Sequence, residues 1–200
     1  MDILESLHTQ VDLHNIKLNI PTLSNEVGEL LRFFVSLHRP KIIVEFGSGI
    51  GASVLWSLLK DHKDEPTWQQ FVLTERREDC FESFQQINWP IEIYKKLCFI
   101  QGEWNIHKIT EVIQGCSIQL FLVDGQKNQY RKVIEEIYPL LSKQGLILID
   151  NTNWLETQKA KSKNVVSCLQ DMHESLSKDP RFYYVFLPKI ADGLSLLVKV

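Results

Sequence analysis

The sequence predicts an α/β fold in which a mostly parallel, doubly wound sheet of seven strands carries helices on both faces. Five apolar segments of strand length alternate with segments of helical periodicity between residues 41 and 151. Two further strand-like segments follow, and the linker at 188–193 is short enough for an antiparallel hairpin. A chain of 200 residues is expected to form one domain of this kind.

The predicted elements can be placed in chain order. Apolar residues at helical spacing indicate an amphipathic helix within residues 1–20 and a second helix that begins after 21–25 and ends before Pro40. The same spacing predicts a helix after the fourth strand through Val133, Ile134, Ile137, Leu140 and Leu141, and another around 165–176. The predicted strands are 42–44, 70–75, 97–100, 118–124, 145–151, 181–187 and 194–200.

Composition excludes several classes of protein. Hydrophobic residues make up 44% and charged residues 24%, which suits a chain with a full core rather than a disordered one. The net charge of −3 gives no basic excess for nucleic acid, and no apolar run approaches the ~20 residues that cross a bilayer. The N-terminus does not resemble a signal peptide, and the four cysteines form no C-x-x-C pair. We therefore expect a cytoplasmic protein with reduced thiols that binds neither nucleic acid nor membrane.

A glycine-rich turn follows the first predicted strand. Gly47, Gly49 and Gly51 alternate there, and glycine lets the backbone approach a ligand closely. Gly47-x-Gly49-x-x-Ala52 fits the loose dinucleotide pattern. Glu45, two residues before the first glycine, instead fits the Glu-x-Gly-x-Gly pattern of S-adenosylmethionine methyltransferases. A tight turn without a ligand remains a third interpretation.

Acidic residues also end the second strand and follow the third. Glu75 could accept both hydroxyls of a ribose, although it could equally be a surface glutamate beside Arg76 and Arg77. Glu103 and Trp104 would lie beside an adenine already placed by the glycine turn. A tryptophan at the edge of the core is the simpler alternative.

The ends of the fourth and fifth strands suggest a metal site. Asp124, Asp150 and Asn151 should share one edge of the sheet, and their oxygens are hard ligands that suit Mg²⁺ or Ca²⁺. A helix cap at Asp124 and an Asx turn at 150–151 explain them equally well. Lys127 follows Asp124 by three residues. A nearby divalent ion would disfavour its ammonium form and let it take a proton from a hydroxyl, whereas without a metal it would be an ordinary surface lysine.

Four segments in this order resemble the metal-dependent class I O-methyltransferases, the catechol and caffeoyl-CoA O-methyltransferase group. They are 44–53, 123–130, 140–151 and 187–194, and they contain respectively the glycine turn, Asp-x-x-Lys-x-x-Tyr, Leu-Leu-x-x-x-Gly with Asp-Asn, and Pro-x-x-Asp-Gly-Leu. The resemblance covers about 20–200. This sequence departs from the family at Gly125 and Gln126, at Trp104 and Asn105, and at Gln144.

The resemblance implies a role for each candidate residue. Asp124, Asp150 and Asn151 would hold Mg²⁺ or another divalent cation such as Mn²⁺, and Lys127 would be the catalytic base. It also implies an N-terminal helical segment at 1–40, a cofactor-binding core at 41–151, and an acceptor loop, helix and hairpin at 152–200. The residues that would bind S-adenosylmethionine are Leu23, Glu45, Gly47, Gly49, Ser53, Glu75, Glu103, Trp104 and Asp124.

The expected activity is methyl transfer to a hydroxyl of a small catechol-like or other vicinal-diol acceptor. The loop at 152–163 is expected to cover the acceptor pocket, and its lysines could favour an acidic acceptor. The resemblance also implies a homodimer. An NAD(P)-dependent oxidoreductase and a non-catalytic S-adenosylmethionine-binding protein are the alternatives; the first would leave Asp150 and Asn151 without a role.

Overall fold

The computed structural model describes residues 3–58, 66–153 and 163–200. Helices in these ranges are α1 (Ile3–Leu18), α2 (Asn25–His38), α3 (Ala52–Ser57), α4 (Glu78–Gln86), α5 (Ile91–Tyr94), α6 (Ile106–Ile113), α7 (Tyr130–Ile137) and α8 (Lys163–Ser177). The strands are β1 (Ile42–Phe46), β2 (Gln70–Glu75), β3 (Leu97–Gln101), β4 (Ile118–Val123), β5 (Leu141–Asp150), β6 (Phe182–Leu187) and β7 (Leu194–Lys199).

The seven strands form one sheet in the order β3-β2-β1-β4-β5-β7-β6. The five strands from β3 to β5 are parallel, and β7 pairs antiparallel with both β5 and β6. The predicted α/β fold, with a mostly parallel sheet and a C-terminal hairpin, is confirmed. Because the chain leaves β1 toward β2 and later returns to β4, the strand order reverses beside β1. Ligands bind at such a reversal in open α/β sheets.

Two apolar layers cover the sheet. Every residue of β1 is buried, as expected for a parallel strand with helices on both faces. Ile43 and Leu73 face a core shared with α1 to α5, while Val44 and Phe121 face a core shared with α6 to α8. The side-chain alternation of a strand supplies both cores from the same sequence segments.

Helix α2 shows how local sequence fixes the approach to β1. The Ser24 hydroxyl accepts a hydrogen bond from the Val27 N–H at 3.2 Å and caps the helix, as the predicted start signal implies. Val27, Leu31 and Val35 repeat every four residues on its buried face. The helix ends at His38 because Arg39 turns into the left-handed conformation.

Two predicted boundaries differ from the structure. The helix after β4 ends at Ile137 and tightens into a 3₁₀ turn, Tyr138–Leu140, because Pro139 has no N–H to continue it. Strand β5 begins at Leu141 rather than 145, and its register shifts against β4 near Gln144, where φ is 60°. Because this irregularity interrupts the alternation of side chains, the periodicity of the sequence did not predict the first residues of the strand.

No helix in the described part of the chain is long and apolar enough to span a bilayer. None of the four cysteines, all of which lie in the described ranges, is paired in a disulfide.

Candidate active site

A cavity of about 880 Å³ opens at the carboxyl ends of β1, β2 and β4. Its wall contains every residue that the sequence singled out for cofactor, metal or proton chemistry. These residues are Leu23, Glu45, Gly47, Gly49, Ser53, Glu75, Glu103, Trp104, Asp124, Lys127, Asp150 and Asn151.

The glycine turn runs close against the turn that follows β4. Gly47 has φ of +86°, and its N–H donates to the Thr74 carbonyl at 3.0 Å. A Cβ atom at Gly47 would lie 2.3 Å from the Gly125 Cα, so no larger residue fits there without moving the backbone. The requirement for glycine at 47 is therefore set both by conformation and by space.

Glu45 lies beneath this turn with only 4% of its surface exposed. The Ser53 hydroxyl donates to its Oε2 at 2.5 Å. Burial raises the pKa of the Glu45 carboxyl to about 8; the Ser53 hydrogen bond opposes this shift, and the nearby Asp124 and Glu75 carboxylates add to it. A ligand with a cationic group would favour the ionised form of Glu45.

Glu75 is held at the end of β2 by two backbone amides. Its Oε2 accepts from the Gly49 N–H at 3.2 Å, and its Oε1 accepts from the Arg77 N–H at 3.0 Å. A carboxylate has about four acceptor positions, so this side chain can still accept hydrogen bonds from ligand hydroxyls.

Trp104 packs at the edge of the core and also lines the cavity. Its indole packs edge-on against Phe46 with ring centroids 5.3 Å apart, and it also contacts Phe121. The Nε1–H donates to Glu136 at 2.7 Å. The ring is therefore fixed by the core beneath it while it still lines the cavity.

The predicted metal-binding side chains meet at the ends of β4 and β5. Register pairs Val123 with Ile149, so Asp124 and Asp150 follow at the same level of the sheet. The Asn151 Nδ2 lies 3.3 Å from the Asp124 Oδ1, and the Asn151 N–H donates to the Asp150 Oδ1 at 2.7 Å.

Asp150 is a buried acid with further acidic side chains near it. Asp150 is 6% exposed, and burial raises its pKa to about 7, with further contributions from Asp124 and Asp192. The Asn151 amide and the Lys127 ammonium act in the opposite direction. In the described ranges there is no group of three or more His, Cys, Asp or Glu side chains that could hold a metal ion; the candidate set has two carboxylates and one amide.

Lys127 reaches this pair from the 3₁₀ turn before α7. Its Nζ donates to the Asp124 Oδ1 at 3.1 Å and to the Tyr130 hydroxyl at 2.5 Å. Tyr130 is fully buried, and its hydroxyl donates to the Asp150 carbonyl at 3.0 Å. Burial, together with Asp124 and Asp150, raises the pKa of Tyr130 well above its usual value, so the phenol stays neutral and holds the lysine in place.

Several residues on the wall were not assigned from sequence. Asn15 of α1, Arg76, Gln126 and Asp192 all line the cavity. The Gln126 carboxamide oxygen accepts from the two Arg76 Nη atoms at 2.6 and 3.3 Å in the amide orientation that satisfies both groups. Asp192 lies in the Pro-x-x-Asp-Gly-Leu segment and so had a sequence signal. The Arg76–Gln126 pair had none, because the two residues are far apart in the chain.

The segment predicted to cover the acceptor pocket lies outside the described residues at 154–162. The two described residues that precede it are bonded to the C-terminal hairpin. The Thr152 N–H donates to the Gly193 carbonyl and the Asn153 N–H to the Asp192 carbonyl, at 2.9 and 2.7 Å, which ties the end of β5 to the hairpin. Beyond the gap, Val165 of α8 lines the cavity.

The sequence and the fold of this chain were compared with known proteins. A family model described as O-methyltransferase matches residues 1–200. A "putative caffeoyl-CoA O-methyltransferase" from Staphylococcus aureus is 24% identical, with a TM-score of 0.79 over 98% of this chain and 92% of that one. An O-methyltransferase from Bacillus cereus in complex with SAH is 16% identical, with a TM-score of 0.77 and coverage of 98% and 91%. TomG from Streptomyces achromogenes, an O-methyltransferase of tomaymycin synthesis solved with SAM, is 18% identical, with a TM-score of 0.77 and coverage of 98% and 90%.

Proposed function

Since the chain belongs to the O-methyltransferase family, we propose that it transfers a methyl group from S-adenosylmethionine (SAM) to a hydroxyl of a small catechol-like or other vicinal-diol acceptor, with the help of a divalent metal ion. One observation carries the proposal. The glycine turn with its two glutamates and the Asp124–Lys127–Asp150–Asn151 cluster lie on the wall of a single cavity.

The wall suits the chemical parts of SAM. Glu75 offers acceptors to the ribose hydroxyls, and Glu45 and Asp124 offer negative charge to the ammonium group. Gly47 and Gly49 keep the turn free of side chains where the cofactor would pass. Leu23, Ser53, Glu103 and Trp104 would complete the cofactor site, as expected by resemblance.

The cluster at β4 and β5 suits a hard divalent cation. Asp124, Asp150 and the Asn151 carboxamide provide three oxygen-bearing side chains within a few ångströms of one another. The pKa of Asp150 is raised mainly by burial and further by the charge of Asp124, and a cation there would favour its ionised form. For oxygen to face the cation, the Asn151 amide would present Oδ1 instead of Nδ2 toward Asp124, which is a rotation of about 180° around its last bond.

The protein's own side chains can then position the reactants and accept the proton that the acceptor hydroxyl loses. When bound, SAM supplies a methyl carbon whose sulfur keeps the electron pair of the broken bond, and a divalent cation supplies Lewis-acid polarisation of two adjacent acceptor oxygens. Lys127 would accept the proton of the attacking hydroxyl at Nζ. Tyr130 and Asp124 hold that nitrogen in a fixed position. Positioning of the two reactants supplies much of the remaining rate.

The oxidoreductase alternative loses its support, because the family match covers the full chain and concerns methyl transfer. A SAM-binding protein that has lost catalysis would keep the cofactor wall without turnover. The experiment below distinguishes it from an active enzyme.

Calorimetry with SAM and S-adenosylhomocysteine (SAH), followed by a methyl-transfer assay on a panel of catechols with and without Mg²⁺, tests the proposal. We expect binding of both nucleosides and transfer to one of two adjacent hydroxyls. Asp150→Ala should reduce turnover by at least tenfold, whereas Glu111→Ala, a change at an exposed acid of α6, should not. Transfer that survives chelation in the Asp150→Ala enzyme would refute the metal role, and SAM binding without turnover on any acceptor would favour the non-catalytic alternative.

A further inference from the structure

Asn151, the last of the candidate metal-binding residues, has a strained backbone. It directly follows Asp150, the last residue of β5, and its φ of 59° lies in the left-handed region. This conformation is unfavourable for a residue with a side chain, although asparagine adopts it more readily than most. A strained residue of this kind persists where its surroundings hold the backbone in place. The neighbours of Asn151 therefore decide where its carboxamide points.

Thr152 provides this hold, because each of its polar atoms is hydrogen-bonded. The residue is fully buried. Its N–H donates to the Gly193 carbonyl at 2.9 Å, and its Oγ1 accepts from the Ser195 hydroxyl at 3.1 Å. Its carbonyl accepts from the Nε2 of His173 at 2.9 Å. The first two bonds come from the C-terminal hairpin, and the third comes from helix α8.

The His173 ring is itself fixed on the face of α8 that packs toward the sheet. Val165, Leu169 and His173 are spaced by four residues; Leu169 is buried and Val165 lines the cavity. The ring packs against Phe186 with centroids 4.3 Å apart, and its Nδ1 shares a hydrogen bond with the Tyr184 hydroxyl. These contacts leave Nε2 directed at the end of β5.

The side chains of Thr152, His173, Tyr184 and Ser195 complete a closed circuit of hydrogen bonds, called the Thr152 circuit below. The Tyr184 hydroxyl lies 3.2 Å from the Ser195 Oγ, which donates to the Thr152 Oγ1, while His173 joins Tyr184 to the Thr152 carbonyl. Removal of one member of a buried network costs more than its own bond, because the remaining members lose their partners. The Thr152 circuit therefore connects α8, β6 and β7 as one unit to the residue after Asn151.

The Thr152 carbonyl belongs to a peptide group that is held at both ends. The N–H of the same peptide is that of Asn153, and it donates to the Asp192 carbonyl at 2.7 Å. Because the peptide group is planar, a bond at each end fixes its rotation. Loss of the His173 bond would release the carbonyl end and leave a buried acceptor without its donor.

We propose that His173 is a positioning residue for the cation site: through the Thr152 carbonyl it holds the backbone of Asn151, so that the carboxamide stays beside Asp124. The inference rests on the proposed metal dependence. His173 contacts neither the cation nor the acceptor in this role. Its effect passes through the residue that follows the predicted ligand, and outer partners of this kind support metal affinity in other proteins.

Binding of Mn²⁺ with SAH present, followed by the electron paramagnetic resonance signal of the free ion, tests this role. His173→Phe keeps an aromatic ring against Phe186 and removes the donor at Nε2. It should weaken Mn²⁺ binding by about ten- to a hundredfold. The SAH dissociation constant, measured by calorimetry, should stay within about twofold, because the proposed cofactor wall lies at β1 and β2. His173→Gln keeps an N–H donor of similar reach, so its Mn²⁺ affinity should lie within about threefold of that of the unchanged protein.

A variant at the other end of the same hairpin separates this role from general stability. The Lys199 Nζ donates to the Tyr138 and Leu141 carbonyls at 2.9 and 2.8 Å. Lys199→Met loses both bonds, so it should lower the melting temperature and leave Mn²⁺ affinity unchanged. If it weakens Mn²⁺ binding as much as His173→Phe does, the effect comes from stability and the inference is wrong.

Tyr184→Phe removes one oxygen from the Thr152 circuit and keeps the test valid if His173→Phe does not fold. It should weaken Mn²⁺ binding by about three- to tenfold, because the His173 ring loses its partner at Nδ1. Unchanged Mn²⁺ affinity in either folded variant, or an equal loss in His173→Gln and His173→Phe, would overturn the inference. Absence of Mn²⁺ binding by the unchanged protein would refute the proposed metal role, and this inference with it.

Discussion

The buried carboxyl of Glu45 should make the protein less stable as pH rises, and Glu45→Gln should remove the share of this dependence that Glu45 contributes. The Glu45 pKa rises from 4.5 to about 8 mainly because of burial. Between these values the carboxyl is protonated in the folded state and ionised in the unfolded state. The folded state then binds more protons, so the free energy of unfolding falls with increasing pH.

The size of the effect follows from the shift. Each pH unit inside this window lowers the free energy of unfolding by up to about 1.4 kcal/mol. From pH 5 to pH 8 the Glu45 contribution should therefore lower it by about 2–4 kcal/mol, the upper figure applying if the side chain remains fully dehydrated. The amide of the Glu45→Gln variant does not titrate, so its curve should be flatter by this amount.

Urea unfolding of the ligand-free protein, followed by circular dichroism at half-unit steps from about pH 5 to 8.5, measures both curves. Glu29→Gln is the control, because Glu29 is an exposed acid of α2 that pairs with Arg32 at 2.9 Å. Its curve should run parallel to that of the unchanged protein. If Glu45→Gln also runs parallel, the assigned raised pKa of Glu45 is wrong.

Three further changes test other parts of the site and the fold. Tyr130→Phe should lower kcat about tenfold and leave the SAH dissociation constant unchanged, because Lys127 loses a hydrogen bond at 2.5 Å; an unchanged kcat would contradict the positioning role. Gly47→Ala should lower the free energy of unfolding in urea by about 2–5 kcal/mol. Gly115→Ala, also at positive φ but with open space around it, should lower it by only about 1–2 kcal/mol. Equal losses in the two variants would contradict the predicted clash at Gly47. Gln144→Gly should raise the free energy of unfolding by about 0.5 kcal/mol by relieving φ of 60°, and a decrease would contradict this account.

The strands and the candidate site residues at their ends could be predicted from sequence, because both signals lie within short segments. Buried parallel strands are short apolar runs in the sequence. The strands that border the cavity also have an oxygen-bearing side chain at or just after their last residue, as at Glu75 and Asp150. The same locality explains the errors. Pro139 ended a helix that the apolar spacing continued, and Gln144 adopted a backbone conformation that its side chain does not favour.

The cavity residues that the sequence did not reveal owe their place to contacts between segments that are far apart in the chain. Arg76 and Gln126 meet only because β1 lies between β2 and β4, an order that the sequence does not state. Asn15 did carry a signal, since it follows Leu7 and Val11 at the four-residue spacing of a helix face, where an apolar residue is expected. Its position needed the structure, which places this buried residue on the wall of the cavity.

The placement of Asp124 and Asp150 argues that this edge of the sheet is selected for chemistry. Phe46 pairs with Val123, and Val123 with Ile149, so three neighbouring strands end at one level. Adjacent strands lie about 4.8 Å apart, and two carboxylates placed there repel each other. The ladder gains nothing from these side chains, because backbone groups make its bonds; the Asp124 N–H itself donates to the Phe46 carbonyl at 2.9 Å. A sheet under selection for stability alone would hold neutral residues at both positions, so the placement of two acids here supports the cation site proposed above.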